Sequence, residues 1–149
     1  MKNLFEASVT ADIKNRIRQL RADSPRQWGK MTPSQAMAHC AIGMELAVGT
    51  QRLPRTLVGR VIGPLVKKTV LGPEPMRRNA PTDKRFVVAG DRNLDAEQRR
   101  LIELIDRFWA AGPSGCTTHP HNFFGPLTPD EWGTLMYKHL DHHLRQFGA

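Results

Sequence analysis

Twice in this chain a threonine is followed by proline and, three positions after the threonine, by Gln or Glu: Thr32-Pro33-Ser34-Gln35 and Thr128-Pro129-Asp130-Glu131. A threonine hydroxyl in this setting accepts from an amide in the first helical turn, while the Gln or Glu side chain reaches back to the cap residue's own N–H. Proline fits the first helical position because the amide it lacks would have had no partner there. Each tetrapeptide therefore starts a helix. The first predicts a helix to about Val48, stopped near Gly49. The second predicts a helix in which Leu127 staples onto Trp132. Its inward stripe reads Trp132, Leu135 or Met136, His139, His143 and Phe147, ending at Gly148.

Two further helices follow from periodicity. Ile13, Ile17 and Leu20 recur at helical spacing behind Ser8 or Thr10, giving a helix to about Arg21. Leu101, Leu104, Ile105 and Phe108 do so behind Asn93 or Asp95, until Gly112-Pro113 ends the helix. Strand signals are scarce, since Val87-Val88 is too short to carry a sheet. Residues 55–70 can add a short, irregular helix, interrupted by Pro64. The connection between the second and third long helices, about 45 residues, exceeds what an antiparallel hairpin needs. The expected fold is all-α: an up-down-down-up four-helix bundle, with a long irregular crossover between those two helices, forming one domain over residues 1–149.

Charge narrows the function classes. The net charge of +8 looks at first like a nucleic-acid signature. It is local, however: residues 51–92 hold ten bases and three acids, whereas residues 93–149 hold five bases and seven acids. The basic segment carries Pro54, Pro64, Pro73, Pro75 and Pro81, and its one aromatic is Phe86. A recognition helix needs a proline-free run, and single-strand binders interleave bases with stacking aromatics. No nucleic-acid partner is expected. No membrane partner is expected either, because Arg60, Lys67 and Lys68 break the most apolar stretch. Cys40 and Cys116 make no disulfide framework, and with no signal-like start a cytoplasmic location is expected.

Five of the six histidines fall in the last third of the chain. His139 and His143 stand at i and i+4, on one helix face about 6 Å apart, where two imidazoles can bind one transition metal. They continue the inward stripe, and a polar ring there must bond or ligate something. A third ligand is offered by His39, flanked by Ala36 and Gly43 on a small, apolar face. His39 lies about 10 Å beyond the Thr32 cap, and the His139–His143 midpoint roughly 9 Å from Phe147. In the expected topology those helices run antiparallel, so the levels coincide. Three imidazoles would converge with coordination positions left open. The alternative is three histidines hydrogen-bonded in a polar bundle interior. His142 is a partner of the ligands or a surface residue. His119 and His121 belong to a loop expected at the opposite end of the bundle.

A single His in the second helix, followed by His-x-x-x-His and Arg-Gln in the last, resembles the DinB-like (YfiT-like) superfamily of metal-dependent enzymes. More closely, residues 24–33, Ala38-His39-Cys40, His121-Asn122-Phe123-Phe124-Gly125 and residues 137–148 resemble a branch of it, the domain-of-unknown-function family numbered 1569. The resemblance spans nearly the whole chain. It implies an up-down-down-up bundle with a divalent metal, zinc or nickel, on His39, His139 and His143. It also implies chemistry of the transferase or hydrolase kind, in some members with a low-molecular-weight thiol.

The leading expectation is a metalloenzyme acting on a small, anionic substrate. Its mouth would be formed by the 22–31 loop, with Arg26 and Trp28, and by the later half of the crossover, where Arg77 and Arg78 could make an anion-binding fork. No general base can be assigned, since Asp141 and Glu45 lie off the histidine faces. The competing expectation is a non-catalytic metal-binding or stress-associated bundle protein, with homodimerisation open to either.

Overall fold

A computed structural model describes residues 1–149. It is all-helical: α1 (Ala7–Gln19), α2 (Pro33–Val48), α3 (Leu57–Val70), α4 (Leu94–Ala111) and α5 (Pro129–Arg145), with no strand beyond one isolated His121–Gly125 bridge. Both threonine boxes form. Thr32 Oγ1 accepts from the Gln35 amide at 3.2 Å while Gln35 Oε1 accepts from Thr32 N–H at 3.0 Å. Thr128 and Glu131 repeat the pair at 3.2 and 2.9 Å. Asn93 caps α4 through its side-chain oxygen, 2.8 Å from Ala96 N. Gly49 ends α2 in the left-handed region, at φ 80°.

The start of α1 differs from expectation. Neither Ser8 nor Thr10 caps it; both lie inside the helix, and Thr10 Oγ1 donates to the carbonyl of Leu4. Asn3 organises this end instead. Its side-chain oxygen accepts from Phe5 N–H at 3.0 Å, and its amide donates to the Asp130 carboxylate at 2.9 Å, tying the chain start to the first turn of α5. At its other end α5 stops at Arg145, before Gly148, because Gln146 turns its side chain inward and the next amides close tight turns onto Leu144 and Arg145.

Four helices share one core. α2 packs against α4 and α5, and α1 packs against the same two. Ile13 and Ile17 of α1, Met37, Cys40 and Met44 of α2, Leu101, Ile105 and Phe108 of α4, and Trp132, Leu140 and Leu144 of α5 form the centre of a 20-residue buried cluster. Leu104, expected inside, is only partly buried. α2 is buried on most of its circumference, which its small side chains at Ala36, Ala38, Ala41 and Ala47 permit.

The largest departure is α3. Residues 57–70 form a regular 14-residue helix rather than a short, irregular one. Thr56 caps it by accepting from Gly59 N–H at 2.9 Å. Pro64 is accommodated because it and Arg60 are exposed, so water can satisfy the carbonyl that loses its intrahelical donor. The residues α3 buries are Gly59 and Gly63, which lie directly on the backbone of Phe123 and Phe124. Lys67 pairs with Glu131 at 2.9 Å, fixing α3 to the first turn of α5. No helix is long and apolar enough to cross a membrane.

Candidate metal centre

His39 comes from the middle of α2, and His139 and His143 from successive turns of α5. Each offers a ring nitrogen within 4.8 Å of the others. Ring centroids are 4.8 Å apart for His39–His139 and for His39–His143, and 5.0 Å for His139–His143. All three pairs meet edge to face, so the rings surround a point rather than stack. Gly43 makes room for them: a Cβ there would stand 3.0 Å from His139 Nδ1.

Two of the rings are held from outside. His39 Nδ1 lies 2.9 Å from the carbonyl of Phe86 and must be the protonated nitrogen, since a carbonyl only accepts. Its Nε2 is then a free lone pair aimed into the cluster. Gln146 Nε2 donates to Trp28 O at 2.9 Å, which turns Gln146 Oε1 toward His143 Nδ1 at 2.8 Å. His143 therefore also carries its proton on Nδ1 and presents Nε2 inward. A carbonyl or amide oxygen behind each ligating imidazole fixes its tautomer and raises its basicity, as metal-binding histidines require. His139 Nε2 lies 2.9 Å from His39 Nε2, so without an ion His139 donates the shared proton.

Burial keeps this set neutral. It lowers the pKa of His39, with the bond to Phe86 opposing, and takes His143 down to about 3. His139 falls well below the usual imidazole range, first through burial and then through the charges its histidine neighbours would carry. Neutral imidazoles are the state in which a divalent ion is bound. Three such donors with no carboxylate fit zinc or another first-row ion of similar preference.

The carboxylates nearest the histidines on α2 and α5 are spent elsewhere. Asp141 pairs with Arg16 and Arg145, each at 2.9 Å, and Glu45 with Arg100 at 2.7 Å. Neither thiol is activated as a thiolate: burial raises Cys40, and pushes Cys116 up to about 11.

Beside the cluster lies a cavity of about 340 Å³, bounded by Trp28, Met76, Arg78, Lys138, His142 and Arg145 among others. The three ligand rings do not line it. His142 connects the two, its ring centroid 5.1 Å from that of His143 and 5.5 Å from that of Trp28. The Arg78 guanidinium lies 4.3 Å over the Trp28 ring. Arg26 and Arg77 are not brought to this cavity. Arg26 donates to the carbonyls of Lys30 and Met31, bracing its own loop, and of the adjacent arginines only Arg78 lines the cavity, so Arg77 and Arg78 do not form a fork there.

His121 lies by the first turn of α5, its ring 5.6 Å from that of Trp132 and 4.7 Å from that of Phe124, away from the three-histidine cluster. Its Nδ1 accepts from the amides of Phe123 and Phe124, at 3.1 and 3.2 Å, which shapes the loop under α3. His119 is held by the carbonyl of Leu53 at 3.2 Å. Three contributors escaped the sequence reading. Gln146 had a signal, standing one turn after His143. Lys138, which donates to the carbonyls of Gly72 and Glu74, and the Phe86 carbonyl had none, because only the crossover's path brings them in.

Fold and site together define an all-helical protein with a buried three-histidine cluster able to hold a metal ion. The chain belongs to the family described as "Protein of unknown function (DUF1569)", which matches residues 4–149. None of the curated proteins and none of the solved structures is detectably similar to it.

Proposed function

We propose that this protein is a divalent-metal enzyme of the DinB-like superfamily, an up-down-down-up bundle holding zinc or nickel on His39, His139 and His143. The observation that carries the reading is the pair of outer hydrogen bonds, Phe86 O to His39 and Gln146 Oε1 to His143, which turn two buried Nε2 lone pairs toward one point. A purely structural cluster accounts for the His39 lone pair, which accepts from His139 Nε2, but gives the His143 Nε2 lone pair no protein partner. An ion there supplies Lewis acidity to a coordinated group, with three protein ligands leaving positions open.

The chain's own residues select the substrate. Arg145 is paired with Asp141, and Lys138 is bonded to two carbonyls. Arg78, lying on Trp28, is a cavity cation with neither an ion pair nor a hydrogen bond to the chain, and it suits the anionic end of a small substrate or low-molecular-weight thiol. His142, between cavity and cluster, is placed to hold or pass a proton. The reaction class is transfer or hydrolysis.

One observation favours a second reading, a non-catalytic metal-binding protein: Asp141 and Glu45, the carboxylates nearest the histidines on their own helices, are committed to arginines, and the unpaired carboxylate on the cavity wall, Glu74, is on the exposed crossover. Metal analysis of wild type and of His139→Ala and His143→Ala comes first, and retention of metal by the variants sinks the site. A screen of the metal-loaded protein with thiols and simple esters follows. Turnover abolished by Arg78→Ala or His142→Ala supports the enzyme. Stoichiometric metal, no turnover and no thiol-induced change in a cobalt-substituted spectrum support the binding protein.

A further inference from the structure

We infer that α3 is an interfacial helix that seats this protein on an anionic lipid bilayer. Of eight large apolar side chains left exposed on the whole chain, five belong to α3: Leu57 (81%), Val58 (61%), Val61 (81%), Ile62 (42%) and Leu65 (71%). At about 100° per residue they fall within one continuous face. Scattered exposed apolar residues are ordinary, whereas a contiguous stripe marks a contact surface.

The orientation is built, not accidental. Gly59 and Gly63 are the buried residues of α3, and they sit on the Phe123–Phe124 backbone so closely that any side chain would displace the helix. Arg55 donates to Gly59 O at 3.1 Å, Thr56 N–H to Asn122 O at 2.9 Å, and Lys67 pairs with Glu131 at 2.9 Å. The helix is thus clamped by its glycine side with the aliphatic side outward. A helix that merely completed a core would point those residues the other way.

Charge selects the occupant. Between Thr50 and Pro73 the chain carries Arg52, Arg55, Arg60, Lys67 and Lys68 and no acid. Arg60 is exposed beside the stripe, and Lys68 is exposed at its C-terminal end, where a long side chain can reach the headgroups. An amphipathic helix with aliphatic and basic faces binds at the boundary of headgroups and acyl chains, drawn by negatively charged lipid. A second copy is the weaker occupant. Two-fold pairing of α3 would bring its unpaired bases together with no acid of the same helix to answer them. Five aliphatic side chains also fall short of the roughly 800 Å² per partner that a stable interface buries. A peripheral seat of this kind needs no membrane-spanning helix and does not depend on the metal site.

The test is sedimentation of the full-length protein with phosphatidylcholine vesicles and with vesicles containing phosphatidylserine. The expected result is binding to the phosphatidylserine vesicles, weak binding to phosphatidylcholine alone, and loss of binding as salt rises. Val61→Glu with Leu65→Glu should abolish binding. Arg60→Gln with Lys68→Gln should weaken it roughly 25-fold, at about fivefold per charge near the surface. Since these four residues are exposed, the circular dichroism spectrum and melting of each variant should match wild type, which separates lost docking from lost folding. Equal binding to both vesicle types, or none to phosphatidylserine vesicles at low salt, overturns the inference. So does a dimer in light scattering that Val61→Glu and Leu65→Glu convert to monomer, because a second copy would then cover the stripe.

Discussion

Gln146→Leu probes the candidate metal centre without touching a ligand. Gln146 is 3% exposed and joins His143 Nδ1 at 2.8 Å to the carbonyl of Trp28 at 2.9 Å. Leucine keeps much of its volume and leaves the buried His143 donor and the part-buried Trp28 carbonyl without partners. Each orphaned group costs about 1–3 kcal/mol, so the metal-free protein should lose roughly 2–6 kcal/mol of stability. Metal affinity should fall by about 10–100-fold, the usual effect of removing a group that orients a ligating histidine. Gln146→Glu sets the contrast. It retains an acceptor for His143 Nδ1 but forfeits the donor to Trp28, so it should destabilise the fold while holding metal within a few-fold of wild type. Affinity is read by competition with a chromophoric chelator, and stability by urea unfolding of the metal-free proteins. If Gln146→Leu binds metal as tightly as wild type while Gln146→Glu does not, His143 is not oriented by this bond and the ligand assignment fails with it.

Three more outcomes follow from particular contacts. Gly43→Ala should stabilise an exposed helix by about 1 kcal/mol, but here its Cβ meets His139 Nδ1 at 3.0 Å and Cε1 at 3.2 Å, so metal titration should show at least tenfold weaker binding with helicity intact. Gly63→Ala places a Cβ against the Phe123 carbonyl and should release α3 at a cost of about 1–3 kcal/mol, seen as faster proteolysis within residues 55–72. Asp83 is held below the usual carboxylate range chiefly by Arg85, whose guanidinium it accepts, and also caps the Lys84–Phe86 turn that presents the Phe86 carbonyl. A depressed acid contributes stability above its unfolded pKa and loses it as pH falls through the folded one, so amide protection factors around Phe86, taken against intrinsic exchange at each pH, should fall on acidification below about pH 4. Asp83→Asn should show the lower protection already at neutral pH.

Local chemistry explains which parts of this molecule could be read in advance. The starts of α2, α4 and α5 were legible because Thr32, Asn93 and Thr128 cap their own helices within three residues. The histidine cluster was legible because i,i+4 spacing puts His139 and His143 on one face and Gly43 leaves a gap beside them. The start of α1 was not, since Asn3 acts on residues more than a hundred positions away. Nor was α3: Gly59, Gly63 and Pro64 read as breakers, whereas the glycines are a contact surface and the proline faces water. The paired Arg77 and Arg78 separate because Trp28, from a distant loop, captures only the second. The basic segment that suggested a rim for substrate supplies it a single arginine at the cavity and leaves most of its charge around α3.

Whether three imidazoles hold one ion is tested most directly by X-ray absorption spectroscopy of the zinc-loaded protein. At one zinc per chain the account predicts three histidine nitrogens at about 2.0–2.1 Å, with the multiple-scattering signature of imidazole, and no sulfur. His39→Ala, His139→Ala and His143→Ala should each remove that signal. A sulfur shell at about 2.3 Å, or zinc bound only at substoichiometric levels and unaltered by those substitutions, would contradict it.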